Sequence, residues 1–226
     1  MIRNYSGEMT YADDASGVTG REIFSVTVHD DGSRTLRCQC WMDQVPLVRD
    51  VTYTVNERFE AMDCFVRVVA QGKFVGSGFF LFTDTMATAE VLTAQEGRVT
   101  QQIETPGRVK LFGSHPISVD IWKCAHTPAE KPGEKQPLTN CFSSSLAPGG
   151  ASGPMLNRKT YDIVFEQQEK IAVGAGELDC LRYNWDTYTG RTLQMHAAGE
   201  DWLPVRVHVP EVGRRYELVA LEGDWR

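Results

Sequence analysis

One histidine stands in a segment that interrupts the regular pattern of the chain. In LFGSHPISVDIW, His115 follows a Gly-Ser pair and precedes Asp120. Histidine can act as a general acid or base near neutral pH, and a neighbouring carboxylate can fix its tautomer. We therefore predict that His115 is a catalytic acid or base with Asp120 as its partner. The alternative is a histidine that anchors a loop through hydrogen bonds to the backbone.

A second group of charges lies in the segment CWMDQVPLVRDV, where Asp43, Arg49 and Asp50 bracket an apolar turn. Buried together, such groups titrate as a coupled set and can supply an acid and a base near pH 7. Arg67 stands in the otherwise apolar CFVRVVA, where an arginine needs a partner. We predict Asp43 as a second partner of the histidine, and Arg67 or Arg49 as the stabiliser of an oxyanion. The alternative for the Asp43, Arg49 and Asp50 cluster is an exposed ion pair at the end of a hairpin, and for Arg67 it is a structural salt bridge.

Aromatic residues are frequent around these segments. Four of them are predicted to bind a flat apolar ligand, namely Trp41, Phe65, Phe80 and Trp122. The alternative is that they belong to an ordinary core.

Motifs for cofactors and metals do not occur in the sequence. There is no H-E-x-x-H, no carboxylate-rich metal loop and no glycine-rich phosphate loop. The serines of NCFSSSLAPGG lack the G-x-S-x-G context of a nucleophile elbow, and the six scattered cysteines form no C-x-x-C pair. We expect no cofactor and no metal, and we interpret the cysteines as buried thiols.

The elements that must position these residues are strands. Apolar and polar residues alternate with period two in segments such as REIFSVTVHDDGSRTLRCQCWM, which is typical of strands with one buried face. Asp31-Gly32, Gln71-Gly72 and Glu96-Gly97 supply turns between neighbouring strands. Gly76 and Gly78 share one face of KFVGSGFFLF, where they either bend the strand or let a ligand approach.

The alternation fails between about residues 105 and 160. VKLFGSHPISVDIWKCA predicts a short helix or a crossing loop, and the following residues to about 160 form a Pro/Gly/Ser-rich loop. A twisted sheet of about ten or more strands must curl or close. The sequence therefore predicts one all-β domain over 1–226, a single curled antiparallel sheet or incomplete β-barrel around an apolar cavity.

Charge and hydropathy restrict the partners. A net charge of −7 opposes nucleic-acid binding, which requires clustered positive charge. No segment has the apolar length of a membrane-spanning helix, and MIRNYSGEMTYADDASG lacks the pattern of a signal peptide. We expect a cytoplasmic protein that does not insert into membranes, with a homodimer as one option.

The C-terminal part of the chain carries a family resemblance. The motifs are V-G-A-G-E-L-D-C-L-R-Y, then G-E-D-W-L-P-V-R and Y-E-L-V, within residues 171–221. They resemble a bacterial group of uncharacterised β-proteins related to the lipoprotein-localisation-factor superfamily. The resemblance implies a curved antiparallel sheet wrapped around an apolar cavity. Members of that group are mostly exported, and this chain departs from them in lacking a leader.

The combined expectation is a cofactor-independent enzyme. A lyase, hydratase or isomerase would act by acid–base chemistry on a small apolar molecule that bears an oxygen function. One alternative is a carrier or sensor of a lipophilic compound, in which every polar group of the cavity is satisfied by protein. Another is a structural or regulatory protein with a filled barrel, whose long loop recruits a partner.

Overall fold

The computed structural model describes residues 2–147, 150–186 and 190–226. Strands dominate it, and they run in chain order as β1 (Arg3–Asp13), β2 (Gly17–Val28), β3 (Arg34–Met42), β4 (Leu47–Val55), β5 (Ala61–Ala70), β6 (Lys73–Phe82), β7 (Met86–Thr93), β8 (Gly97–Glu104), β9 (Leu111–Gly113), β10 (Lys135–Ser143), β11 (Asn157–Val173), β12 (Gly176–Asp186), β13 (Thr192–Ala198), β14 (Leu203–Val209) and β15 (Arg214–Gly223). Between β9 and β10 lie a short helix α1 (Ile117–Asp120) and a 3₁₀ helix (Ile121–His126), and a second 3₁₀ helix spans Pro210–Val212.

All fifteen strands form one sheet, in the order β8-β7-β6-β5-β4-β3-β2-β1-β15-β14-β13-β12-β11-β10-β9. Every neighbouring pair is antiparallel except β9 and β10. The first strand pairs with the last, so the two halves of the chain join at β1 and β15. The sheet is not closed, which confirms the prediction of a curled, incomplete barrel. No helix in the described part of the chain has the length and apolarity needed to cross a membrane.

The hairpins follow the predicted turn chemistry. Gln71 and Gly72 both have positive φ, 51° and 72°, as a two-residue turn between antiparallel strands requires. Gly32 and Gly97 adopt φ of 80° and 73°. These turns set the register of the meander from β2 to β8.

Three strands, β1, β9 and β10, are not expected from the sequence, and β9 lies where a short helix or a crossing loop is predicted. In β1, Tyr5, Met9 and Tyr11 face the interior, but glycine and polar residues between them weaken the apolar signal. Strand β10 lies inside the predicted Pro/Gly/Ser-rich loop, of which residues 148 and 149 fall outside the described residues. Its register shifts between Leu138 and Cys141, and this irregularity disrupts the period-two pattern.

The segment from β9 to the first 3₁₀ helix fills most of the space inside the curled sheet. Phe112 packs on Phe80 and Phe82, with ring centroids 4.4 and 5.2 Å away. Trp122 packs against Tyr53 and donates a hydrogen bond from Nε1 to the carbonyl of Asp201. The enclosed apolar space is therefore mainly occupied by the protein's own insertion.

Side chains partly bridge the open edge at β8. The Gln101 amide donates to the carbonyl of Leu156 at 3.3 Å and accepts from the Leu156 N–H at 2.8 Å. Arg158 donates to the carbonyl of Glu104 at 2.6 Å. These bonds hold the first edge strand against the start of β11, near the other edge.

The two glycines of β6 serve packing. A side chain at Gly76 would meet Pro154 Cδ at 2.7 Å, and one at Gly78 would overlap Val91. The predicted roles were bending of the strand and approach of a ligand, whereas the atoms found against both glycines belong to the protein itself.

Candidate functional site

A small cavity opens where the insertion meets β10, β11 and β12. Its volume is about 120 Å³, below the ≈ 300–1,000 Å³ of drug-sized ligand sites. The lining residues are Gly113, His115, Asp120, Lys123, Ser143, Ser145, Lys159, Thr160, Tyr161, Trp185 and Asp186. Thr160 and Asp186 are exposed, so the cavity reaches the surface beside them.

A buried ion pair forms one wall of the cavity. Lys123 Nζ lies 2.5 Å from Asp120 Oδ1, and the two residues are three apart across the junction of α1 and the 3₁₀ helix. The lysine side chain is 1% exposed and the aspartate side chain 15%. Burial lowers the pKa of Lys123, and the Asp120 carboxylate acts in the opposite direction. Breaking such a pair would leave an uncompensated buried charge.

Two aromatic rings surround the lysine ammonium. Nζ of Lys123 lies 3.8 Å from the ring centroid of Trp185 and 4.8 Å from that of Tyr161. The ring faces attract the cation and exclude water from it. Burial raises the pKa of Tyr161, and the charge of Asp120 adds to this effect, so the phenol is neutral.

His115 lies beside this pair in an unusual backbone conformation, with φ of 79°. Its pKa is lowered to about 4, mainly by burial and next by the nearby Arg49, while Asp120 opposes both effects. The imidazole is therefore neutral at pH 7. Its buried Nε2 has no hydrogen-bond partner among the described residues. An unpaired buried polar atom costs free energy, so it requires an explanation.

Arg49 approaches the same histidine from β4. It is 2% exposed, and its Nη1 lies 3.8 Å from Cys40 Sγ on the adjacent strand. Gly150 covers both Arg49 and His115, and a side chain there would meet His115 Cδ2 at 2.6 Å. The arginine thus adds positive charge beside the cavity and keeps the imidazole neutral.

A buried glutamate positions the insertion. Glu22 is fully buried on β2 and accepts hydrogen bonds from the N–H groups of Ile117 and Ser118 at 2.8 and 2.9 Å. The Tyr11 hydroxyl donates to the same carboxylate. These contacts tie the start of α1 to the sheet, between His115 and Asp120 in sequence. Glu22 therefore supports the site without lining it.

Gly113 lies close to Tyr161 and Asp120 in the wall of the cavity. A Cβ at this position would lie 3.0 Å from Tyr161 Oη and 3.7 Å from Asp120 Oδ1. Glycine thus leaves room for the phenol beside the carboxylate.

The predicted catalytic residues fall into two groups. His115 and Asp120 share the cavity, and Arg49 lies next to it. Asp43 and Arg67 instead lie on the exposed outside, Arg67 over the ring of Phe74 at 5.2 Å. The expectation that these two share a site with the histidine is corrected. Strand parity is the reason, because Arg49 and Arg67 point to opposite faces of the sheet.

None of the four predicted ligand-binding aromatics lines the cavity. Phe80 and Trp122 are core residues with exposures of 0 and 1%. Phe65 lies on the outer face, and Trp41 lines a surface groove with the Arg21 guanidinium 4.8 Å over its ring. These assignments are corrected: two side chains pack in the core and two face outward.

Several residues of the site were not predicted from the sequence. Lys123 has a detectable signal, since Asp120 three residues earlier is the spacing of a helical ion pair. Tyr161 and Trp185 lie on the adjacent strands β11 and β12, with ring centroids 5.2 Å apart, and the sequence does not show that these strands meet the insertion. Glu22 has the same parity in β2 as Phe24 and Val26, so the alternation that predicts this strand was the signal that could have placed it on the buried face.

Other charged or reactive groups have structural partners. Asp201 is buried and forms ion pairs with Arg3 and Arg34, both at 2.8 Å. All six cysteines are free and buried, as expected. Within residues 2–147, 150–186 and 190–226, no three His, Cys, Asp or Glu side chains come together as a set of metal ligands.

Comparison with known proteins shows similarity of fold. No protein-family model matches the sequence, and no curated protein matches it. A solved structure, the β-barrel-like protein of domain of unknown function DUF1849 from Brucella abortus, aligns with a TM-score of 0.55 and 13% identity, over 99% of this chain and 98% of that one. A candidate lipoprotein from Parabacteroides distasonis aligns with a TM-score of 0.32 and 10% identity, over 97% and 95% of the two chains. A candidate exported protein with YmcC-like fold from Bacteroides fragilis gives 0.31 and 9%, over 96% and 95%.

The Brucella similarity supports the β-barrel-like architecture of the whole chain. At 13% identity it bears on fold alone.

Proposed function

We propose that this protein is a cofactor-independent enzyme that performs acid–base chemistry on a small oxygen-bearing molecule in the His115 cavity. The reaction would be of the lyase, hydratase or isomerase type. A cavity of about 120 Å³ suits a molecule no larger than benzene, which occupies a 150 Å³ apolar cavity in an engineered protein.

The observation that carries the proposal is the unpartnered Nε2 of His115. A pure carrier would have every polar group of its cavity satisfied by protein, and this nitrogen has no partner among the described residues. Its neutral state at pH 7 leaves a lone pair available to accept a proton. A general base in a cavity needs an unpartnered nitrogen and a neutral ring, and His115 has both.

The neighbouring charges fit such a reaction. A proton next to the carbonyl of a bound molecule would pass to Nε2 of neutral His115, and negative charge would develop on the carbonyl oxygen. The Lys123 ammonium, with Arg49 nearby, would stabilise that oxygen in a site shielded from water. Return of the proton to a different carbon would give an isomer, and loss of a β-hydroxyl would give a lyase reaction.

Hydrogen exchange tests the proposal. The purified protein is incubated in heavy water with a pool of small ketones, enones and phenols, followed by mass spectrometry. We expect deuterium uptake, or gain or loss of one water, in at least one compound. His115→Asn should reduce that rate by about 10²–10⁴-fold, the usual contribution of a general base. Asparagine is chosen because it tolerates positive φ and cannot act as a base.

The matched control is Asp43→Asn on the outer surface, which should leave the rate unchanged. If no compound is labelled or converted, or if His115→Asn is as active as the wild type, the proposal fails.

A carrier is the second candidate. Lys123 and Asp120 neutralise each other, so the cavity could hold a ligand without transforming it. In the same experiment a carrier would retain one compound on the protein and return it unlabelled.

We also propose a relation to the lipoprotein-localisation-factor superfamily, supported by the C-terminal motifs and by the incomplete barrel. A profile built from verified relatives of this chain should align the residue 171–221 motifs with that superfamily. An alignment that places those motifs on different strands would remove the support. The cytoplasmic location stays a prediction, since the similar structures bear on fold alone.

A further inference from the structure

Lys123 differs from the other lysines of the chain. There are seven, all within the described residues, and Lys123 is the one that is buried. Its ammonium lines the same cavity as His115 and Asp120. A lysine is costly to bury, and its desolvated amine is the usual nucleophile for carbonyl groups in proteins.

We propose that Lys123 is a covalent site for small aldehydes and ketones, which it binds as a protonated Schiff base in the cavity. This inference rests on the proposed function and deepens it. It names the substrate class, a compact carbonyl compound, and makes Lys123 a nucleophile rather than only a fixed charge.

The contacts of Lys123 meet the needs of this reaction. Asp120 Oδ1, 2.5 Å from Nζ, is placed to take the first proton from the ammonium. The rings of Trp185 and Tyr161 exclude water from the amine and so limit hydrolysis of the adduct. Burial lowers the pKa of the lysine in support of the same role.

The step is balanced without any co-reactant. The ammonium gives one proton to Asp120, and the nitrogen lone pair forms a bond to the carbonyl carbon as the π electrons move to oxygen. Asp120 returns the proton to that oxygen, giving a carbinolamine. The nitrogen then gives a second proton, carried by Asp120, to the hydroxyl oxygen. That oxygen leaves as water while a C=N bond forms, with one proton and the positive charge left on nitrogen. One ammonium and one carbonyl thus give one iminium and one water.

His115 acts after the adduct has formed. An iminium acidifies the neighbouring C–H bond more than a carbonyl does, and the unpartnered Nε2 can accept that proton. The lysine and the histidine therefore have separable tasks, covalent capture and proton transfer.

Reductive trapping tests the inference. The wild-type protein is incubated at pH 7 with propionaldehyde, glycolaldehyde or acetone and sodium cyanoborohydride, and each lysine is then scored by peptide mass mapping. The exposed Lys131 and Lys170 serve as internal controls, with exposures of 59% and 66%. We expect at least one compound to modify Lys123 faster than the controls, because burial lowers the pKa of Lys123 and so raises its fraction of neutral amine at pH 7.

Variants separate this inference from the proposed function. Lys123→Gln keeps a hydrogen-bond donor toward Asp120 and should abolish the preferred adduct, whereas His115→Asn should still form it and lose deuterium exchange. Modification of exposed lysines alone, with exchange intact in the wild type, would overturn covalent capture and leave acid–base catalysis standing. If the wild type shows neither a preferred adduct nor exchange, both proposals are wrong.

Discussion

At the scale of single residues, the environment of His115 determines what the site can do. Burial and the adjacent Arg49 keep the imidazole neutral, so it can accept a proton but cannot supply a permanent charge. The positive charge comes from Lys123, which the carboxylate of Asp120 stabilises. Each side chain is ordinary in type, and the low dielectric of the cavity makes them a functional set.

The neutral histidine makes stability depend on pH. Its pKa is about 4 in the folded protein, below the ordinary value of about 6.5. The unfolded chain therefore takes up the proton first, and stability is lost as pH falls from about 6.5 toward about 4. This single group accounts for up to about 3 kcal/mol of that loss. His115→Asn removes this contribution. The free energy of unfolding measured by urea titration should therefore differ less between pH 7 and pH 4.5 in the variant than in the wild type. Equal pH dependence of both proteins would contradict this assignment.

Gly113 tests the shape of the cavity. In Gly113→Ala the added Cβ would lie 3.0 Å from Tyr161 Oη and displace the phenol or the bound molecule. We expect turnover in the exchange assay to fall by at least about tenfold, since small misplacements in a site are costly. Gly107→Ala is the control, because a Cβ there meets no atom within 4 Å. Similar rates in both variants would argue against a substrate at this position.

At the scale of elements, one carboxylate on β2 holds the insertion that carries the site. Glu22→Gln would retain the size of the side chain but lose the charge that accepts bonds from Tyr11, Ile117 and Ser118. We expect a loss of about 2–3 kcal/mol, the range for hydrogen bonds to a charged group. Amide hydrogen exchange at residues 117–118 should accelerate, whereas Glu8→Gln on the neighbouring strand should change neither quantity. Unchanged exchange at those amides would show that other contacts hold the helix.

The elements also show what the sequence could predict. Period-two alternation located β2 to β8 and the C-terminal strands, because each has one dry face and one wet face. It missed β10, where a register shift between Leu138 and Cys141 disrupts the period. For the site, the loss of period-two alternation drew attention to His115 and Asp120. It did not pair them with Tyr161 or Trp185, because the pairing of distant strands determines which side chains meet.

At the scale of the whole molecule, an open sheet of fifteen strands has two edge strands, and their unpaired backbone groups must be kept from pairing with another chain. The Gln101 amide covers part of one edge through its two bonds to Leu156. Gln101→Ala should cost about 1–3 kcal/mol by leaving those backbone groups unsatisfied. It should also raise self-association in sedimentation experiments, because a freed strand edge can pair with another chain. Gln102→Ala, one residue along on the exposed face, should do neither. Equal behaviour of the two variants would show that the edge is protected in another way.

The curled sheet filled by its own insertion explains why the cavity is small and polar on one side. The proposed chemistry requires His115 to be a neutral base at physiological pH. Nitrogen-15 NMR of the histidine side chains, titrated from pH 8 to pH 3.5 with His115→Asn to assign the signal, tests this most directly. We expect a neutral imidazole at pH 7 with an apparent pKa of about 4. A midpoint at or above about 6.5, the ordinary histidine value, would contradict the account.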